Sequence, residues 1–246
     1  MLLRLLTCLI LLALPLSVHA ESLRYKVEGV EGELLDNVNA WLGAPPESPE
    51  ERLNFVVSAE ARVEQSLQAL GYYRPDIDTA IDRGRDPWRM TIVVTPGEPV
   101  RIRDVRVLVA GDAASDDAFS DMISRPLLLY GNVFHHGEYE AFKRGLQALG
   151  QRRGYFDGRL LLSQVKVDPV GGTADVLIEY DSGLRYRFGQ LNYNPEQLER
   201  EQLLALQSFA TGDYYSAPLL QRFQSDLQRT GCLLYTSDAA DDLYTV

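Results

Sequence analysis

The sequence predicts an α/β chain of the α+β type: tandem copies of one strand–helix–helix–strand–strand unit, each a three-stranded mixed sheet with two helices on one face. Three observations predict it. Gly97, Val100, Ile102, Val105 and Val107 of PGEPVRIRDVRV recur as Gly183, Tyr186, Phe188, Leu191 and Tyr193 of SGLRYRFGQLNY, every pair 86 residues apart. In both stretches the apolar positions alternate, skip one extra residue and resume, which marks a copied strand that slips register at the same place. SLQALGYY of residues 66–73 returns as GLQALGQRRGYF of residues 145–156 with a short insertion. Finally, the turn clusters DRGRDP and DPVGG each separate two short apolar strands that follow these helix ends. Repetition of this kind frames the whole fold.

In the first unit, residues 23–30 (LRYKVEGV) read as a strand. GELLDNVNAWL follows, with Leu34, Leu35, Val38, Trp41 and Leu42 on one helical face. Pro45 and Pro46 end it. Ser48, Pro49 and Glu51 supply an N-cap, a proline at the first helical position and the acid of a capping box, so a second helix starts near Pro49 and runs to LGYYRP. Residues 77–82 and 88–95 are the closing strands, the latter pointing Met90, Ile92 and Val94 inward.

The second unit opens with a strand over residues 100–109, passes through GDAASDD to a short helix around 118–123, and after Pro126 and Gly131 enters a helix marked by Tyr139, Phe142, Leu146 and Leu149. Strands over 159–167 and 174–180 close it. The third unit has a first strand over 185–194, a helix over about 195–209 and a second over 218–229, and then stops before the closing hairpin. A unit without that hairpin lacks the layer that would cover its helices. Alternation in its first strand sends Arg185 and Arg187 outward to solvent, opposite Tyr186 and Phe188.

The two ends read differently from the units. Residues 1–20 carry Arg4, an apolar run from Leu5 to Leu14, Pro15, and the small residues Val18 and Ala20 before Glu21, the pattern of a secretory signal peptide. The run is shorter than the roughly 18 residues of a spanning helix. Cys8 lies too near the start for a lipoprotein signal. At the other end CLLYTSDAADD resembles a translated sequencing adapter, so residues 232–246 are read as a non-native tail and Gly231 as the last native residue. The expected division is 1–20 signal peptide, 21–99 first unit, 100–184 second unit, 185–231 truncated third unit and 232–246 tail.

Of the 24 Lys and Arg and 35 Asp and Glu residues, Arg4 falls in the signal and Asp238, Asp241 and Asp242 in the tail, leaving 23 basic against 32 acidic residues, a net charge of −9. So acidic a chain does not track a phosphate backbone, and nucleic acid is excluded as a partner. Both cysteines, Cys8 and Cys232, lie outside the units, which removes disulfide and thiol chemistry.

The strand–helix–helix–strand–strand units, each opening on G-x-x-[Y/V]-x-[F/I]-x-x-[L/V], resemble POTRA domains, periplasmic modules of outer-membrane assembly factors. The order VEGVEG, LQALGYY, VTPGEPVRI, GEYEAFKRGLQAL, RGYFD and YDSGLRYRFG is similar to the TamA family, translocation and assembly module subunits, over about residues 23–231. Gly97, Val100, Ile102, Gly183, Tyr186, Phe188 and Gly189 carry the family pattern. The resemblance implies three such domains before a transmembrane β-barrel that is missing from this chain, and a place at the Gram-negative outer membrane with this part in the periplasm. It implies a role in outer-membrane protein and autotransporter biogenesis, with a TamB-like periplasmic partner, unfolded outer-membrane proteins or autotransporters as clients, and attachment to the outer membrane through the barrel. A BamA-like assembly factor, a two-partner secretion transporter and a soluble periplasmic tethering protein are the alternatives.

No residue pattern selects an enzyme, a cofactor or a metal site. His135 and His136 are adjacent and cannot both aim at one ion. Asp76, Asp78, Asp82, Asp157 and Asp168 sit at strand ends and turns, where carboxylates bond nearby backbone donors. GDAASDD lacks calcium-loop spacing. Tyr72, Tyr73, Tyr155 and Phe156 recur at helix ends and are expected to pack the helix onto the sheet. Backbone chemistry remains: a three-stranded sheet has open edges that accept another chain's strand. The expected edge is the first strand of the second unit's hairpin, at Leu160, Leu161, Leu162, Ser163 and Gln164, with proline at Leu160, Leu162 or Gln164, whichever points its N–H outward, expected to weaken addition.

Overall fold

The computed structural model describes residues 22–124, 128–191 and 200–229, with only the backbone of Arg200 and Gln202. The expected signal peptide, the expected tail and residues 192–199 of the third unit lie outside these. The chain divides into two compact units: residues 1–68 with 72–97, and residues 69–71 with 98–246.

The first unit contains β1 (Leu23–Glu28), α1 (Gly32–Leu42), α2 (Pro49–Ala69), β2 (Asp76–Asp82) and β3 (Trp88–Thr95). β3 is central, parallel to β1 and antiparallel to β2. A parallel pair demands a crossover, and α1 and α2 supply it. The predicted capping box is formed at α2: the Glu51 N–H donates to Ser48 Oγ (3.2 Å), and Glu51 Oε2 accepts from the N–H groups of Ser48 (3.2 Å) and Glu47 (3.1 Å). These bonds, the Ser48 N–H first, hold the Glu51 carboxyl below its ordinary pKa. Val38, Leu42, Phe55, Ala59, Val63 and Leu67 of the helices bury against Leu23, Met90, Ile92 and Val94 of the sheet. Each such side chain contributes about 1.5–3 kcal/mol, Ala59 less.

The second unit repeats this order with β4 (Arg101–Ala110), α3 (Asp117–Ser124), α4 (His136–Arg153), β5 (Arg159–Asp168) and β6 (Thr173–Asp181). β6 is central, parallel to β4 and antiparallel to β5. A 3-10 turn over Asp112–Ser115 fills the GDAASDD stretch. The slip predicted between Ile102 and Val105 is a β-bulge: Ile102 faces Ala174, Asp104 faces Asp175, and Arg103 is the extra residue. Its guanidinium forks onto the Asp175 carboxylate, Nε to Oδ1 at 2.9 Å with a second bond from Nη2 to Oδ2. Because of the bulge, Ile102, Val105, Val107 and Val109 all share the helix-covered face with Ala174, Val176, Ile178 and Tyr180.

The third repeat contributes α5 (Arg200–Leu206) and α6 (Ala217–Arg229). Two expectations change here. The helix expected over 195–209 is described only over Arg200–Leu206, since 195–199 lie outside the described residues. The strand expected over 185–194 is not a strand over residues 185–191; a single antiparallel bridge joins Arg187 to Tyr214. The reason lies in the topology of the complete units, where the opening strand pairs only with the last strand of the hairpin. Among the described residues of the third repeat there is no such strand. Phe188, Leu203, Phe209 and Phe223 still form a small core, with the Phe188 and Phe209 rings stacked at 3.9 Å.

Candidate strand-addition edge and the joint beside it

β5 is the outer strand of the order β4-β6-β5, and among the described residues no strand pairs with its other side. Its register with β6 shifts between Leu160 and Leu162, so Leu161 is a second bulge. On the helix-covered face Leu160, Ser163, Val165 and Val167 stand opposite Tyr180, Ile178, Val176 and Ala174. On the open face Leu162, Gln164 and Lys166 stand opposite Glu179, Leu177 and Asp175. The bulge leaves two consecutive leucines in the open, Leu161 at 55% and Leu162 at 36% exposure.

This geometry separates the three candidate positions. In a regular strand Leu160, Leu162 and Gln164 would be equivalent, with N–H groups on the same side. The bulge inverts the parity before Leu162, so only Leu162 and Gln164 remain equivalent. Bulges on edge strands also restrict indiscriminate pairing by twisting the strand locally. The regular, addable stretch of β5 therefore runs from Leu162 to Asp168.

The carboxylates at turns behave as their positions predict. Asp168 Oδ1 accepts from the N–H groups of Val170 (3.1 Å) and Gly171 (2.9 Å), and Asp82 Oδ1 from Gly84 N–H (3.0 Å). Among the described residues no group of three or more His, Cys, Asp or Glu is placed to hold a metal ion. No helix among them is long and apolar enough to cross a membrane.

The family-pattern residues fall at two equivalent joints built mainly from backbone, one at the start of the second unit and one at the start of the third repeat. The Tyr186 N–H donates to the Gly154 carbonyl (2.8 Å), Tyr215 N–H to Tyr186 (2.9 Å), Phe188 N–H to Asp213 (2.8 Å) and Gly212 N–H to Phe188 (2.8 Å), while Arg187 Nη1 donates to Gly212 (2.7 Å). Every one of these has a counterpart in the second unit: Val100 N–H to Gly71 (2.8 Å), Phe134 N–H to Val100 (2.9 Å), Ile102 N–H to Asn132 (2.8 Å), Gly131 N–H to Ile102 (2.7 Å) and Arg101 Nη1 to Gly131 (2.9 Å). Val100, Ile102, Tyr186 and Phe188 are thus fixed by main-chain pairing as well as by apolar packing. Gly97 and Gly183 supply turns at φ 73° and 61°, whereas Gly189 has neither a left-handed φ nor a close neighbour. Sequence reasoning took Gly131 only as a break before a helix and missed Gly212; the signal was present as GNVF and GDYY, each just ahead of a helix.

Arg185 departs most from expectation. Instead of facing solvent, its side chain is 17% exposed and ion-paired with Asp116 (3.6 Å), itself 6% exposed. Its Nε donates to the Arg153 carbonyl (3.0 Å) and its N–H to Asp112 Oδ2 (3.0 Å). With no sheet among the described residues of this repeat to impose alternation, the buried carboxylate directs the side chain. Asp116 also accepts from Arg153 Nε (2.6 Å), Tyr155 O–H (2.9 Å) and the Ala118 N–H (3.0 Å). Burial works to raise the Asp116 pKa, but the bonds from Arg153, Ala118 and Tyr155 together hold it below the ordinary carboxylate value. Burial and the bond to Asp116 push the Tyr155 hydroxyl up to about 12. The aromatic pair at the helix end divides its roles: Tyr155 is buried as expected, while Phe156 turns outward against Tyr186 (5.3 Å) and Tyr215 (4.9 Å).

Comparison with known proteins follows the same division into units. Residues 24–96 match the family model described as POTRA domain TamA domain 1. Among solved structures, POTRA3-5 of Haemophilus influenzae BamA is similar at 17% identity and TM-score 0.43, over 85% of this chain and 84% of that one. The N-terminal domain of Omp85 from Thermosynechococcus elongatus is similar at 18% identity and TM-score 0.34, over 84% of each chain. POTRA1-3 of Omp85 from Anabaena is similar at 14% identity and TM-score 0.33, over 85% of this chain and 83% of that one. The first unit, matched by the family model and built as strand, helix, helix, strand, strand, has the POTRA fold of the TamA type, and the second unit repeats its topology.

Proposed function

We propose that the chain is the periplasmic part of a TamA-like outer-membrane assembly factor and that it receives unfolded outer-membrane or autotransporter segments by strand addition on β5. The observation that carries this reading is the placement of β5 at a sheet edge with a regular stretch from Leu162 to Asp168, in a chain whose first unit matches a TamA POTRA domain. An edge strand offers N–H and C=O groups, which every polypeptide can pair with, so affinity depends little on client sequence. That suits a receptor for many clients. The reading includes no catalytic step and no cofactor, and it includes a TamB-like periplasmic partner and a barrel that anchors the whole protein in the outer membrane.

Proline and alanine substitutions distinguish backbone pairing from side-chain recognition. Because Leu162 and Gln164 share N–H direction while Ser163 and Val165 share the other, proline at one set removes outward donors and at the other removes bonds to β6. Photo-cross-linking of an unfolded barrel segment is expected to fall several-fold for proline in the outward set, with the circular dichroism spectrum retained, and to be unchanged for alanine at the same positions. Full cross-linking by folded proline variants would overturn strand addition at this edge.

A further inference from the structure

We infer that β5 selects its clients by side chain at two positions: an accepted strand lies antiparallel, with an acidic residue opposite Lys166 and, four residues further along its own chain, an apolar residue opposite Leu162. The inference rests on the reading of β5 as the strand-addition edge and adds to it the chemistry and direction of the client.

The two ends of the regular stretch differ in chemistry. Leu162, Gln164 and Lys166 share the open face, and all three are exposed. At the Leu162 end the surroundings are apolar: Leu161 of the bulge stands beside it in the open, and Leu177, opposite Gln164, carries the apolar ground onto β6. At the other end stands the Lys166 ammonium, and the two nearest carboxylates are committed elsewhere. Asp175, opposite Lys166, is forked by Arg103, and Asp168 accepts the N–H groups of Val170 and Gly171. Among the described residues no carboxylate is ion-paired with Lys166. A strand added beside β5 brings directly opposite β-carbons to roughly 4.5–5.5 Å, so a client carboxylate at that position becomes the partner that Asp175 is not free to be.

Antiparallel pairing is the more stable per residue, and in that direction the client reads, from its N-terminal side, acid, three residues, apolar. The residues flanking its acid fall opposite Val167 and Val165, both half-buried on the helix-covered face, and are therefore apolar as well. Lysine on an edge strand ordinarily blunts pairing, and here it does so selectively. Two copies of β5 paired antiparallel about Gln164 would set each Lys166 against the other copy's Leu162, and paired about Lys166 they would set ammonium against ammonium. The side chain that admits an acid-bearing client thus discourages β5 from pairing with itself.

The test is an NMR titration of the ¹⁵N-labelled chain with two soluble peptides of about ten residues, built around Val-Glu-Val-Thr-Ser-Leu and Val-Lys-Val-Thr-Ser-Leu, each with a nitroxide at its C-terminus. Both should shift amides from Leu162 to Asp168, the glutamate peptide binding about threefold to tenfold more tightly at low salt. In a Lys166→Glu variant that order should reverse. The nitroxide should broaden the Leu162 end of β5 more than the Asp168 end. Equal affinity of the two peptides, an unchanged order in Lys166→Glu, or stronger broadening at Asp168 would overturn the inference while leaving strand addition on β5 standing. Absence of β5 shifts with either peptide at millimolar concentration would remove the reading of β5 itself, and this inference with it.

Discussion

Arg185 and Asp116 form an ion pair at 3.6 Å that is almost fully withdrawn from water, and it fastens the start of the third repeat to the N-terminal end of α3. The same carboxylate holds Arg153 and Tyr155, so one side chain organises the joint. Replacing Arg185 by Ala leaves Asp116 with Arg153 and should cost about 1–3 kcal/mol. Asp116→Asn strands two arginines and should cost more, about 3–5 kcal/mol. Chemical denaturation checks the order; a larger loss for Arg185→Ala would contradict it.

Acid should loosen this joint from the Asp116 side. A carboxyl whose folded pKa lies below its unfolded value contributes stability above the unfolded value, and that contribution fades as pH falls through the folded one. The relevant window therefore opens below 3.8, the ordinary value for this group. Tyr155 acts at the alkaline end: its hydroxyl is raised from 10.0 to about 12, so its contribution is complete below 10.0 and is lost between 10.0 and about 12. Denaturation midpoints across pH should show both shoulders in the native chain, and both should be smaller in a Tyr155→Phe, Asp116→Asn double variant, the remainder coming from groups such as Glu51 and Tyr180.

Gly154 sits at φ 87°, and a β-carbon there would stand 2.7 Å from Tyr215 Cβ. Gly154→Ala should cost about 1–3 kcal/mol from the left-handed backbone alone. Crowding of Tyr215 should then release the rings of Phe156 and Tyr186. Faster amide exchange at Tyr186, Phe188 and Tyr215, with β4–β6 unchanged, is the expected result.

The bulge at Arg103 absorbs one extra residue in β4. Arg103→Ala removes only an exposed ion pair and should leave stability nearly unchanged. Deleting Arg103 should also be mild, because Ile102, Asp104 and Val105 then face Ala174, Asp175 and Val176 as a regular ladder, whereas deleting Arg106 from the regular stretch should be far worse, since the one-residue slip turns Val107 and Val109 to the open face. Comparable stability of the two deletions in chemical denaturation would contradict this reading of the register.

Much of this was legible in the sequence because period and spacing encode it. The slip between Ile102 and Val105 announced the Arg103 bulge, and Ser48 with Glu51 announced the start of α2. The bulge at Leu161 was hidden, since LLL offers no polar position to reveal a break in alternation. The fate of Arg185 was hidden for another reason: outward pointing follows from sheet pairing, and its repeat has no paired strand among the described residues. The joint itself rests on carbonyls and N–H groups, which all residues share, so only glycines betray it.

Amide hydrogen exchange along β5 tests the central claim most directly. In the free chain, amides of one parity between Leu162 and Asp168 should exchange fast because they face solvent, and those bonded to β6 slowly. With an unfolded barrel segment present, the fast set alone should become protected. Fast exchange persisting at those amides while the segment is bound would contradict strand addition at β5.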